Sequence, residues 1–237
     1  MNDSLELDWS KIGRKWVSYF DLLGFKSFVC EHPPQSVFNT YSICLEEFRQ
    51  QEKREKTWTS RLEFIHFSDS FLICTSDDTA GSWVALESAS RWFFNLVLYR
   101  GDGFPLRGAM ACDEFYADRK NGVFFGKALV EAHDCGEKYD WIGFVLSPSA
   151  IGRMADTGIN LPANERLNYR EWNAPTKKSK RGVVEEHVVA YLIGESSRIS
   201  GQNSYVPKLE SMAQRDNRPD VKAKYSNTIR FLKHFGG

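Results

Sequence analysis

Lys15-Trp16-Val17-Ser18-Tyr19-Phe20-Asp21-Leu22-Leu23-Gly24-Phe25-Lys26 is the stretch that decides how the chain is read. Residues 15–20 are rich in β-branched and aromatic types, which predicts a strand. Asp21 ends that apolar run. The Leu22-Leu23-Gly24 turn then opens a short helix at Phe25. An acid at the end of a buried strand is either a turn former or a group placed for chemistry. The rest of the chain has to decide between the two.

Working outward, Pro33-Pro34 breaks the chain, and Val37, Tyr41, Cys44, Leu45 and Phe48 recur at helical spacing. Residues 50–56 are polar and read as the solvated end of that helix. Two strands follow, Leu62–Phe67 and residues 71–74, with Ser68-Asp69-Ser70 between them as a tight hairpin and Phe67 expected in the core. Trp83, Leu86, Phe93 and Val97 mark a helix, closed by a turn at Gly101-Asp102-Gly103. Residues 106–115 read as a strand, Gly126 opens a helix carrying Ala128, Ala132 and Cys135 inward, and residues 141–146 read as a strand. The order β-α-β-β-α-β-α-β contains the ferredoxin-like pattern: an α+β fold with an antiparallel sheet and its helices on one face. We assign residues 1–150 to this core and 151–237 to a strand-helix extension packed on the same domain. In the extension, residues 183–192 read as a strand and residues 194–217 as a mobile polar loop. Pro219 starts a last helix with Val221, Tyr225, Ile229 and Leu232 on one face. Lys177-Lys178-Ser179-Lys180-Arg181 reads as a solvated basic loop.

Composition narrows the function. The 237 residues are 42% hydrophobic and carry a formal net charge of zero. That balance argues against broad nucleic-acid binding, which needs a basic face. No apolar run reaches the roughly 20 residues that cross a bilayer. The start is acidic and unlike a signal peptide. The five cysteines are scattered without metal or redox spacing and are expected as buried thiols in a cytoplasmic protein.

In a β-α-β-β layout the hairpin is expected beside the first strand, which would bring Asp69 to Asp21. Two ionised carboxylates held together repel, and a divalent cation removes that cost. Hard cations such as Mg²⁺ use one or two carboxylates together with substrate phosphates. Arg107 is expected on a central strand, where its charge needs a partner: a bound nucleotide or an acid such as Glu63.

Phe20-Asp21-Leu22-Leu23-Gly24-Phe25 resembles the opening motif of class III nucleotidyl cyclase domains. Phe67-Ser68-Asp69-Ser70 resembles their hairpin, Leu106-Arg107-Gly108-Ala109 their Arg-x-Gly strand, residues 126–132 their Gly-x-x-Val-Asn-x-Ala helix, and residues 143–147 their later Gly-Ile-x-Val-Ser strand. The motifs run in the family's order over residues 15–150. Diguanylate cyclases and polymerase palms usually pair two acids in the hairpin; here one acid stands between serines.

The resemblance implies two divalent metal ions, Mn²⁺ or Mg²⁺, bridged by Asp21 and Asp69 with the Leu22 carbonyl as a further ligand. It implies in-line attack of a ribose 3′-oxygen on the α-phosphorus. Phe20, Gly24, Phe25, Lys26 and Arg107 are the substrate-binding positions, and Lys26 reads either as a phosphate contact or as a surface residue. It also implies a head-to-tail homodimer with shared active sites.

The chain departs from purine cyclases in an ordered way. Val130 and Asp134 stand where the family has its transition-state Asn and Arg. Ile65 and Val123 stand where purine cyclases read the base, and neither can hydrogen-bond a purine edge. These departures are similar to the pyrimidine cyclases of bacterial Pycsar anti-phage systems. That branch implies conversion of UTP to 3′,5′-cyclic UMP and pyrophosphate, with CTP as the alternative, and a separate effector responding to the product. A degenerate cyclase-like domain that only binds nucleotide is the reading from another class.

Overall fold

The computed structural model describes residues 8, 11–59, 61–99, 103–161, 169–177, 184–191 and 205–235. In chain order the elements are β1 (Gly13–Leu22), α1 (Phe25–Glu31), α2 (Pro34–Arg54), the single turn α3 (Lys56–Thr59), β2 (Leu62–Phe67), β3 (Ser70–Thr75), α4 (Ala80–Tyr99), β4 (Leu106–Asp118) and β5 (Val123–Gly126). They continue with α5 (Lys127–Lys138), β6 (Gly143–Leu146), α6 (Pro148–Asp156), β7 (Tyr169–Pro175), β8 (Glu185–Tyr191), α7 (Val206–Arg215) and α8 (Pro219–His234). The sheet order is β2-β3-β1-β4-β6-β8-β7, with β5 folded back on β4. All pairings are antiparallel except β4 with β6.

β1 is paired on both edges, to β3 and to β4. Trp16 through Phe20 are all buried. Side chains alternate across a strand, and here both faces are covered. Trp16 and Phe20 enter the larger core with Leu86, Ala89 and Phe93 of α4. Ser18 points the same way and accepts a hydrogen bond from Ser90 at 2.7 Å. Val17 and Tyr19 enter a smaller core with Ala128 and Ala132 of α5. The β-α-β-β-α-β core keeps α2 and α4 on one face as expected, with Phe48 packed against Phe93, and α5, outside that core, covers the opposite face. Continuous burial along β1 is what a strand covered on both faces requires.

α5 lies close to the sheet because Gly136 faces the β4 backbone without a side chain. A Cβ on Gly136 would stand 3.2 Å from the Gly108 Cα of β4. The absence of a side chain at Gly136 lets the C-terminal part of α5 approach the backbone beside Arg107.

The extension differs from its reading. β7 was not anticipated, and with β8 it completes the same sheet at its far edge. Residues 206–215, read as loop, form the amphipathic helix α7, burying Val206, Leu209 and Met212. α8 begins at Pro219 as expected and buries Val221, Tyr225 and Leu232. Residues 192–204, the 178–181 part of the basic run, Val183 and the Gly101-Asp102 turn lie outside the described residues. Cys74 and Cys112 are buried thiols as expected, whereas Cys30 is exposed on α1. No helix among the described residues is long and apolar enough to cross a membrane.

Phe93 sits at the centre of an aromatic cluster, with ring centroids 5.0 Å from Phe20 and Phe71 and 5.7 Å from Phe48 and Phe64. Phe67, by contrast, is 82% exposed at the end of β2, which corrects its reading as a core residue. In urea unfolding, Phe93→Ala is expected to remove about 3–5 kcal/mol of stability. Phe67→Ser is expected to change stability by less than about 0.5 kcal/mol.

Candidate active site

The register of β1 gathers the candidate site at one end of the sheet. Asp21 stands opposite Ser70 of β3 on one side and opposite Arg107 of β4 on the other. Phe67 pairs with Ser70, so Ser68 and Asp69 are the two turn residues of the β2–β3 hairpin. Ser68 takes a left-handed φ of 54°, as tight two-residue hairpins demand of their first turn residue. The Asp69 carbonyl accepts the Leu22 N–H at 3.0 Å, tying the hairpin tip to the end of β1. Tyr41 of α2 donates its hydroxyl to the Ser68 carbonyl at 2.7 Å and holds the same tip from outside.

Arg107 is buried and crosses toward Asp21. Its Nε and Nη2 donate to Asp21 Oδ2 at 3.2 and 3.0 Å. Nη2 also donates to Glu137 Oε1 of α5. Glu137 Oε2 in turn accepts from Lys177 Nζ at 2.7 Å. The expected alternative partner, Glu63, belongs to β2, which is separated from β4 by β3 and β1.

Burial pushes the Asp21 carboxyl up to about 6 against the pull of Arg107, and the negative charges of Glu137 and Asp69 add to the rise. Burial acts on Glu137 in the same direction, but the Lys177 hydrogen bond and the Arg107 charge outweigh it and hold Glu137 below its ordinary value. Beside them, burial raises the Tyr19 phenol to about 12; its hydroxyl lies 3.1 Å from the Ser70 hydroxyl.

The turn after β1 is shaped by Gly24, whose φ is 82°. A side chain at that position would collide with the guanidinium of Arg218, which lies against the turn from the start of α8. Phe25 packs against Phe28, Tyr41 and Phe104, and Lys26 is exposed on α1. Phe20 departs from its expected role. It is fully buried, stacked on Phe144 at 5.0 Å, so its side chain supports the sheet beneath Asp21 and cannot touch a ligand.

A hard cation fits the donor chemistry here: two carboxylates whose like charges act on one another. Among the described residues no three Asp, Glu, His or Cys side chains form a cation cage by themselves. This suits an ion that completes its shell with phosphate oxygens and water.

No family model matches the chain, and no curated protein matches it. Solved structures do match. A dimeric guanylyl cyclase domain of the RhoGC fusion protein from the fungus Blastocladiella emersonii aligns over 76% of this chain and 97% of its own, at 12% identity and a TM-score of 0.53. The fold is that of nucleotidyl cyclase domains. The guanylate cyclase domain of RhGC from Catenaria anguillulae, solved with GTP, aligns over 74% of this chain and 95% of its own, at 12% identity and a TM-score of 0.51. A Trypanosoma brucei adenylate cyclase in its monomeric state aligns over 79% and 94%, at 10% identity and a TM-score of 0.51.

On this cyclase fold, Asp21, Leu22, Asp69 and Arg107 come together, with Gly24 and Phe25 at the adjoining turn. Reading the sequence missed Glu137, Lys177 and Arg218. Two signals were available: Gly136 permits the close approach that brings Glu137 in, and Lys177 begins the basic run.

The folded Asp21 carboxyl keeps its proton to about pH 6, against an ordinary value of 3.8. Between those values the folded state binds more protons than the unfolded state, so this group's contribution to stability falls as the pH rises through that window and is unchanged below it. Urea unfolding in chelator is therefore expected to show wild type losing stability relative to Asp21→Asn as the pH rises from about 4 to about 7. A constant difference across that range would place the Asp21 titration elsewhere.

Proposed function

We propose that the chain is a nucleotidyl cyclase that converts UTP to 3′,5′-cyclic UMP and pyrophosphate. The observation that carries the reading is the meeting of Asp21 and the Asp69 hairpin at one end of a cyclase-fold sheet. Asp21, Asp69 and the Leu22 carbonyl are the groups assigned to hold two divalent cations, Mn²⁺ or Mg²⁺. Bound there, these ions supply Lewis acidity to the ribose 3′-hydroxyl and charge neutralisation to the departing pyrophosphate. The 3′-oxygen forms its bond to the α-phosphorus, the bond from that phosphorus to the β-phosphate bridging oxygen breaks, and the 3′-proton passes to water. The backbone at Gly24 and Phe25, with Lys26 beside it, is assigned to the β- and γ-phosphates. Arg107 orients Asp21 and is assigned a phosphate contact once the ligand is present.

A pyrimidine substrate is favoured by Ile65 and Val123, apolar at both places where purine cyclases hydrogen-bond their base. Ile65 packs against the α5 core, so it offers shape and no polar atom. UTP leads and CTP is the alternative. Phe67 and Val130, 82% and 60% exposed, support a head-to-tail homodimer in which each copy completes the other's site. In this reading the enzyme works in the cytoplasm as the messenger synthase of an anti-phage system, its product acting on a separate effector.

A nucleotide-binding domain without turnover is the second reading. It is favoured by Val130 and Asp134 at the transition-state positions and by the Arg107 ion pair on Asp21.

Purified protein incubated with each of the four ribonucleoside triphosphates and Mn²⁺ is expected to yield cyclic UMP from UTP alone. Asp69→Ala is expected to lower the rate at least about 100-fold. Cyclic CMP from CTP would move the base assignment. Metal-dependent UTP binding with no product would replace the proposal by the second reading.

A further inference from the structure

Four charged side chains alternate in sign from the surface to the candidate site: Lys177, Glu137, Arg107 and Asp21. Their side-chain exposures are 44%, 28%, 9% and 15%. Arg107 is the pivot of this ladder. Its guanidinium gives two hydrogen bonds to one oxygen of Asp21 and shares Nη2 with Glu137. A guanidinium does not give up its proton in a protein, so Arg107 stays charged whatever its neighbours do.

A divalent ion arriving at Asp21 meets that buried positive charge at contact range. The attraction that holds Asp21 to Arg107 is lost, and repulsion between the ion and the guanidinium replaces it. A buried charge without a partner is costly, so the guanidinium needs another carboxylate within reach. Glu137 already holds one of its nitrogens. The Gly136–Gly108 contact keeps α5 against β4 one residue from Arg107, and Lys177 fixes the other oxygen of Glu137. Nothing has to travel for Arg107 to pass from two partners to one.

We infer that Glu137 is a positioning residue for the metal site: it retains the Arg107 guanidinium when Asp21 turns from Arg107 to a divalent cation. The inference rests on the reading above in which Asp21 and Asp69 hold divalent ions. Glu137 itself is not a ligand in this account. It makes Asp21 available by keeping its competitor neutralised.

The test is Mn²⁺ binding to the intact chain without nucleotide, followed by the electron paramagnetic resonance of free Mn²⁺, with circular dichroism to verify folding. Wild type is expected to bind Mn²⁺ and Asp69→Asn to lose it. Glu137→Gln is expected to weaken binding about tenfold, and Glu137→Asp, which keeps the charge, to recover most of the loss. In an Arg107→Gln background, where no guanidinium needs a second home, the same Glu137→Gln change is expected to cost less than about threefold.

Wild-type affinity in Glu137→Gln would overturn the inference and leave the metal reading intact. Equal weakening in both backgrounds would overturn it too, because Glu137 would then act as one more negative charge. Absence of Mn²⁺ binding by wild type, or its survival in Asp69→Asn, would overturn the metal reading itself and the inference with it.

Discussion

Between Val17 and Asp21 the chain has no free edge and almost no free face. β1 is hydrogen-bonded to β3 and β4 and packed under α4 on one side and α5 on the other. Sliding such a strand by one residue would exchange the two faces, sending Phe20 toward the small α5 core and Tyr19 toward the large α4 core. The register is therefore held firmly, and the site inherits that firmness. Asp21 is opposite Ser70 and Arg107 because Phe20 is seated on Phe93 and Phe144. The hairpin is held to the same strand end by the Leu22–Asp69 hydrogen bond.

The charge arrangement at that strand end follows from burial. A carboxylate there is poorly solvated, and Arg107 offsets part of the loss without restoring Asp21 to its ordinary acidity. Buried ion pairs often add little net stability, because desolvation cancels attraction. In the proposed cyclase reading, the Asp21–Arg107 pair keeps a negative oxygen oriented for a stronger cation. Glu137 and Lys177 extend the alternation of charge outward, so the row carries two positive and two negative charges.

Local pattern and long-range geometry were legible to different degrees. The apolar run before Asp21, the hairpin around Asp69 and the Pro219 helix announce themselves through composition and turn residues, and each forms where it was expected. The covering of both sheet faces was not evident, because an amphipathic helix at residues 127–138 does not reveal which face it takes. β7 escaped notice because Tyr169–Pro175 carries charged and polar residues among its aromatics and ends on a proline, which reads as loop until β8 lies beside it. Phe67 was misread because an aromatic next to a hairpin acid looks like core from composition alone. Among the site residues, Asp21 and Asp69 stand out by context. Glu137 does not, since its role depends on a helix-to-sheet approach that Gly136 permits against a strand far away in sequence.

The central claim is that these residues carry out an internal phosphoryl transfer that forms a cyclic phosphodiester. Phosphorus-31 magnetic resonance of UTP, followed with Mg²⁺ and the intact chain, tests it most directly because every phosphorus atom is counted. The account predicts that the triphosphate signals decay while cyclic phosphodiester and pyrophosphate appear in equal amounts. Formation of nucleoside diphosphate and inorganic phosphate instead would contradict it, because the attacking oxygen would then be water and not the ribose 3′-hydroxyl.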